Sequence, residues 1–398
     1  MSACPKEIYN EALGYTETIT QWRRAIHRHP EVGYHLPHTA AMVEGLLKEF
    51  GFEVQTGFAE SAVLGTFHTG RPGKTIAVRA DMDALGMQEQ SGLPFASEID
   101  GVCHSCGHDA HAAMLLGLAK YIHDHPDQFC GTIKLVFQPA EEGPAPGGAK
   151  LIVDSGVLDG IDAIFGAHSQ PLYEAGYVGC KFGDAFASGD FFEAKIIGQG
   201  CHAASPHRGK DAITTAMEII NAIQLIRSRE LPPLKTGVIS VCSINAGQLA
   251  TKNVLPNEVT FGGTFRAYDD EVRNYIAKRM EQIIHDICAM NGCTYEYTDT
   301  FAFPAFSNDD DVISTIYRSA QEVLGEDKVI RKPDPEMGSE DFAHYTKKYK
   351  GAFFFFGIRN DATGCNYSLH NPRFNIDEST FGPTLAVYVN TLINLLNQ

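Results

Sequence analysis

Four short segments of the chain, TIAVRA (75–80), TIKLVFQ (132–138), DAIFGA (162–167) and AFFFFG (352–357), run apolar with almost no polar interruption. Runs of that length predict strands buried on both faces, as in a parallel sheet covered by helices. Elsewhere the apolar period lengthens. Residues 38–50 and 108–123 carry helical spacing, with Met114, Leu115, Leu118 and Ile122 sharing one face, and an amphipathic helix is predicted at 384–396. Strands alternating with helices predict an α/β domain with a mostly parallel, helix-covered sheet.

The middle of the chain has another rhythm. A strand (DFFEAKIIG), a helix (210–228), two strands (GVISVCSIN and EVTFGGTFRAY), a helix (269–290) and a strand (CTYEYTDTF) follow one another. That β-α-β-β-α-β order predicts a ferredoxin-like sandwich. The first helix is read with Ile213, Ala216, Met217, Ile220 and Ile223 on its apolar stripe, the second with Val272, Tyr275, Ile276, Ile283 and Ile287. The expected organisation is a catalytic domain of residues 1–184 plus 300–398, interrupted by a satellite domain of 185–299.

Composition narrows the function classes. The 398 residues include 44% hydrophobic ones, enough for substantial cores, but no membrane-length apolar run. A net charge of −17 argues against a nucleic-acid partner, which needs clustered Lys and Arg. The start, MSACPKEIYNEALGY, has no basic patch followed by an apolar stretch, so no secretory signal is expected. Ten scattered cysteines, several in apolar runs, suit free thiols and a cytoplasmic protein.

Chemistry collects at the carboxyl ends of the predicted strands, where open α/β sheets bind ligands. The strand at 75–80 runs into Asp81 and Asp83, that at 132–138 into Glu141 and Glu142, and that at 162–167 into His168. The segment CHSCGHDAH (103–111) leads a helix. Each feature alone has a plainer explanation: a Glu pair in a loop is commonly a solvated surface, and a lone His a satisfied core group. Cys103 and Cys106 lack a second Cys-x-x-Cys to complete a zinc ribbon, and no thioredoxin-like neighbourhood marks a redox pair. HPE (29–31) ahead of a Cys-x-x-Cys is similar to the zinc deaminase pattern, but Val102 stands where that pattern has Pro. No Gly-x-Ser-x-Gly elbow supports a serine hydrolase. Acidic groups crowded with Cys and His at one sheet edge favour bound cations.

RADMDAL (79–85), CGHDAH (106–111), FQPAEEG (137–143), GAH (166–168), HAASPH (202–207), NVLPNEV (253–259), GTFRAYD (263–269), GSEDFAHY (338–345) and LHNP (369–372) occur in that order. Together they resemble the zinc-dependent aminoacylase and carboxypeptidase superfamily, in the branch holding hippurate hydrolase, indole-3-acetyl-amino-acid hydrolases and N-acetyldiaminopimelate deacetylase. The resemblance implies two divalent metal ions with five ligands, Cys106, His108, Glu142, His168 and His370. Three protein contacts per ion require one ligand to bridge. By analogy the bridge is Cys106, with His108 and His168 on one ion and Glu142 and His370 on the other. Zinc or manganese suits these donors, with cobalt and nickel also compatible. Asp83 is then expected to orient a ligand imidazole from behind, His111 to pack the helix or support the site, and Cys103 to be a bystander. Asp81 stands where relatives outside the branch place a His ligand, a duty that passes to His108.

The implied reaction is hydrolysis of the amide of an N-acyl amino acid, with Glu141 as general base and His202 as oxyanion donor. Asn253 and Arg266 are the expected α-carboxylate partners, and Gly338 is expected to allow close backbone approach. In relatives the satellite domain dimerises, which implies a homodimer or higher homo-oligomer. The competing readings are dipeptidase or carboxypeptidase action, a non-catalytic metabolite-binding relative, and a cysteine hydrolase using Cys106 with His108.

Overall fold

The computed structural model describes residues 4–332 and 334–398. In chain order these form helices α1 (Pro5–Leu13), α2 (Thr16–Arg28) and α3 (Pro37–Glu49), and strands β1 (Glu53–Gln55), β2 (Val63–His68) and β3 (Thr75–Asp81). Helix α4 (His108–Asp124), β4 (Thr132–Gln138), α5 (Gly148–Ser155), β5 (Ala163–Glu174) and β6 (Val178–Lys181) follow. Next come β7 (Gly189–Ile197), α6 (Ala212–Leu225), β8 (Gly237–Ala246), β9 (Glu258–Ala267), α7 (Asp270–Asn291) and β10 (Thr294–Phe303). The chain closes with α8 (Asp310–Leu324), β11 (Val329–Lys332), β12 (Gly351–Arg359) and α9 (Phe381–Leu396). Among the described residues no helix is long and apolar enough to cross a membrane.

Two compact units result. The larger holds the chain up to Ala185 with Ser307–Pro335 and Asp341–Gln398; the smaller holds Phe186–Phe306 with Glu336–Glu340. The boundary expected at 299/300 therefore falls after Phe306. The reason is strand pairing: β10 runs on beside β7 as far as Phe303↔Gly189. The five residues Glu336–Glu340 also join the smaller unit, which no local pattern signals.

The larger unit is built on an eight-stranded mixed sheet in the order β1-β2-β4-β3-β5-β12-β6-β11. Its centre, β4-β3-β5-β12, is parallel, and the pairings of β1 with β2, β2 with β4 and β12 with β6 are antiparallel. The apolar runs are the central strands; β12 is buried at every position but its last. Two elements depart from expectation. The strand at 162–167 continues to Glu174 because β12 stays paired beside it, Phe355 opposite His168 and Gly357 opposite Gln170. His168 thus sits within a strand and not in a loop. Helix α9 is buried almost all round rather than amphipathic, since it packs on α1, α4, α8 and β3.

The smaller unit is a four-stranded antiparallel sheet, β8-β9-β7-β10, with α6 and α7 packed together against it. Its core joins Phe192, Ala194, Ile196, Phe261, Phe265, Ile276 and Met280. The helix stripes read in the sequence face the core except at one position each, Met217 and Tyr275; Ile213, Ile220 and Ile287 pack against it partly buried. In α6 the buried positions are Ala212, Thr215, Ala216, Ile219 and Ile223, and Met217 is 55% exposed. In α7 Val272, Ile276 and Ile283 are buried with Ala277, Met280 and Ile284, whereas Tyr275 faces outward.

Candidate metal centre

The site residues of the larger unit gather where its central strands end. β3 ends on Asp81 and leads to Asp83. β4 ends on Gln138; Ala140, at φ +57, turns the chain so that Glu141 and Glu142 come back over the sheet edge. Asp83 fixes that turn: its two carboxylate oxygens accept the backbone N–H groups of Glu141 and Glu142, each at 3.0 Å. Neighbouring glutamates are thereby held in a defined register, and one carboxylate positions the base candidate and a ligand candidate together.

Cys106 and His108 flank Gly107, which starts α4 at φ +89. Glycine is required there twice over, because a Cβ would be in the disfavoured left-handed region and would lie 2.6 Å from Ser169 Oγ. That serine hydroxyl donates to Cys106 O at 3.1 Å and seats the loop against β5. His370, also left-handed at φ +60, donates its backbone N–H to Ser105 O at 2.8 Å. This bond brings the LHNP segment beside Cys106 from the far end of the sequence.

Among the donor groups with ligand atoms within 4.8 Å of one another, two share Cys106: Cys106 with His108 and His168, and Cys106 with Glu142 and His370; Asp81 with His108 and His111, and His108 with Glu141 and Glu142, form others. Cys106 Sγ lies 3.4 Å from His168 Nε2, and His370 Nε2 lies 3.0 Å from Glu142 Oε1. Glu141 is buried beside them, with Oε2 3.8 Å from His108 Nε2.

The imidazoles are prepared from behind. His168 Nδ1 donates to Ser169 O at 2.8 Å, which leaves the Nε2 lone pair directed at Cys106. His111 bridges Asp81 Oδ1 (2.6 Å from Nδ1) and the backbone N–H of Ser169 (3.0 Å to Nε2), so both ring nitrogens are used in support. His108 Nδ1 lies 3.4 Å from Asp83 Oδ1. Asp81 does not belong to the Cys106 groups; Arg79 Nη1 binds its other oxygen at 2.6 Å. Cys103 is buried, pairs its backbone with Leu85 and belongs to no donor group among the described residues.

The electrostatics call for cations. Burial, then the carboxylates of Glu142, Glu141 and Asp81, push the Cys106 thiol well up. Burial works to lower the His108 imidazole, but Asp81 and Asp83 outweigh it and raise the group to about 10. His168, buried and next to His111, is pushed down to about 3 and stays neutral. Both ring nitrogens of His108 are buried without a hydrogen-bond partner. A thiol, three imidazoles and a carboxylate, arranged so that positive charge is favoured and lone pairs are unsatisfied, fit divalent ions bound by nitrogen, sulfur and oxygen.

Support missed by the sequence reading lies beneath the cluster. Arg79 is fully buried and donates to Gln138 (2.8 Å), Asp81 (2.6 Å) and Asp341 (2.8 Å). Asp341 also accepts from both Gln138 Nε2 and the Ala149 N–H. Behind α4, Asp109 takes Arg23 Nε and His27 Nδ1, each at 2.7 Å, locking α2 to the helix that carries His108. Buried charges persist when paired and hydrogen-bonded in this way. The available signal was a charged residue inside an apolar strand run, Arg79 in TIAVRAD.

In the smaller unit His202 and Asn253 are exposed neighbours: Val254 pairs with His202, and Ala203 N–H donates to Asn253 O at 2.9 Å. Arg266 lies on β9 and donates to Met337 O at 3.3 Å. A Cβ at Gly338 would meet no atom within 4 Å, so packing alone does not demand glycine there.

The model of peptidase family M20/M25/M40 matches residues 77–394. A relative named thermostable carboxypeptidase 1, from Saccharolobus solfataricus, is 36% identical over 94% of this chain and 94% of its own length. IAA-amino acid hydrolase ILR1-like 4 of Arabidopsis thaliana is 39% identical over 89% of this chain and 80% of its own. Among solved structures, the Bacillus subtilis YXEP protein, described as a dinuclear metal binding peptidase, superposes with a TM-score of 0.82 at 30% identity, covering 96% of this chain and 99% of that one.

Proposed function

Because the chain belongs to peptidase family M20/M25/M40 and is a hydrolase acting on amides, we propose that it cleaves N-acyl amino acids to a carboxylate and a free amino acid. The observation that carries this reading is the sharing of Cys106 between two donor groups with Glu141 buried alongside. Cys106, His108 and His168 would hold one divalent ion, and Cys106, Glu142 and His370 the other; zinc and manganese suit the mixed sulfur, nitrogen and oxygen donors. Bound there, such ions supply Lewis acidity that acidifies water and polarises a carbonyl.

The chain's own residues do the rest. Glu141, with its backbone held by Asp83, takes the proton of the attacking water and hands it to the leaving nitrogen. His202 is the proposed donor to the oxyanion, and Arg266 and Asn253 the proposed partners of the α-carboxylate, with Gly338 leaving its backbone open to substrate. The relative named a carboxypeptidase supports a second reading, release of a C-terminal amino acid from a peptide, which breaks the same kind of bond beside a free carboxylate.

A panel of N-acyl amino acids and dipeptides tests the proposal. Hydrolysis of the former is expected, lost on chelation and restored by added divalent ions. Turnover that survives complete metal removal, or confined to dipeptides, contradicts it. A cytosolic location belongs to the same proposal, supported by ten unpaired cysteines.

We also propose that two copies associate through the smaller unit. Support comes from the edge position of β8 and from exposed apolar side chains on that unit, Ile244 at 50% and Leu249 at 89%. Sedimentation of the protein and of Ile244→Lys is expected to show a dimer and a monomer respectively; a monomeric parent protein removes the idea.

A further inference from the structure

Within the larger unit, a cavity of about 590 Å3 is lined by Val32, Tyr34, Leu85 and Pro144, with Glu60 and Glu142 in its wall. Since Glu142 also stands in the donor group with Cys106 and His370, the cavity adjoins the proposed metal centre. It is a built space. Tyr34 OH donates to Pro144 O at 2.9 Å, which ties the segment after α2 to the Glu142 loop. Ala84 N–H donates to Glu31 O at 2.8 Å, and Val32 bridges Ala84, so the segment after β3 is held to the same wall.

Two features of this wall have no role in the mechanism above. The first is backbone strain. Glu60 in the wall and Ala59 just before it are consecutive non-glycine residues in the left-handed region, at φ +56 and +43. Such a conformation is unfavourable for a residue with a side chain and persists where the surroundings impose it, commonly at functional sites. The second is charge. Besides Glu142, which belongs to the donor group with Cys106 and His370, the titratable lining residues with a possible charge are Glu60 and His35, with neither lysine nor arginine, and Glu60 has no ion-pair partner among the described residues.

An N-acyl amino acid has two ends to place about its scissile amide, a carboxylate and an acyl group. The α-carboxylate is assigned to Arg266 and Asn253, which leaves the acyl group for this cavity, and with Glu142 engaged by an ion the negative charge remaining in its wall is that of Glu60. We propose that this cavity receives the acyl group, and that Glu60 makes it select neutral or positively charged acyl groups against those ending in a carboxylate. The volume leaves room for acyl groups well beyond acetyl. Selection of this kind works through repulsion of the wrong ligand more than through attraction of the right one. The inference rests on the N-acyl amino acid reading.

The test uses the metal-loaded protein and three substrates sharing one amino acid: its N-acetyl, N-phenylacetyl and N-succinyl derivatives. The parent enzyme is expected to disfavour the succinyl compound. In Glu60→Lys the ratio of kcat/KM for succinyl over phenylacetyl should rise by about ten-fold or more, with Glu60→Gln between the two. Gly86 also lines the cavity; its φ is ordinary and a Cβ there meets nothing within 4 Å, so a larger side chain is tolerated. Gly86→Phe should lower the phenylacetyl-to-acetyl ratio by about ten-fold. Ratios that move less than about two-fold in folded, metal-loaded variants overturn the inference while leaving the N-acyl amino acid reading in place. A parent enzyme that cleaves none of the three overturns both.

Discussion

Glu141→Gln should lower kcat by about 10²–10⁴-fold, the range associated with loss of a positioned general base, while metal content stays at the parent level. The two halves of this result have separate structural causes. Glutamine keeps the size of glutamate and leaves the backbone N–H of residue 141 on Asp83, so the turn that carries Glu142 is undisturbed. The ligand groups sharing Cys106 contain Glu142, not Glu141. What disappears is a carboxylate able to accept a proton beside the cluster. KM should change little. Metal analysis alongside steady-state kinetics checks both halves; parent-level turnover would end the role assigned to Glu141, and loss of metal would make it a ligand instead.

Cys106→Ala should be more severe, removing measurable turnover and lowering metal content below two ions per chain. Cys106 is the donor common to both groups, so its loss leaves each with two protein ligands, fewer than the three that catalytic ions ordinarily keep. Cys106→Ser is expected to resemble it, because a hydroxyl does not supply the thiolate's charge or softness. Elemental analysis of the purified variants reads the effect directly. Two tightly held ions in Cys106→Ala would show that the thiol is not shared. Because the side chain is nearly buried and packs a loop, far-UV circular dichroism should accompany the measurement to establish that the fold is kept.

Much of this arrangement is legible in the sequence itself. The apolar runs predicted the central strands because a strand buried on both faces must be apolar at successive positions. The ordered short motifs pointed to Cys106, His108, Glu142, His168 and His370, and the structure brings these five into two overlapping groups. What escaped the sequence depends on contacts distant along the chain. Asp83 was expected to support an imidazole; its clamp on the Glu141 and Glu142 amides follows from how two loops meet, which no spacing encodes. His168 looked like a loop residue because the apolar run stops at Ala167, yet pairing with β12 carries the strand to Glu174. Met217 and Tyr275 fit a helical stripe on hydrophobicity alone; the sheet beneath α6 and α7 decides which side of that stripe is covered. Arg79 and Asp341 are fully buried charges whose partners come from β3, β4 and the GSEDF segment, and a periodicity argument has no means of anticipating a charge in the core.

Central to the proposed function is the meeting of remote segments of the chain at one pair of divalent ions through a common thiolate. A crystal structure of the metal-loaded protein, with anomalous difference maps at the absorption edge of the bound element, measures this most directly. The predicted result is two peaks, one reached by His108 and His168, the other by Glu142 and His370, both in contact with Cys106 Sγ. A single peak, or two peaks neither of which touches Cys106, would contradict it.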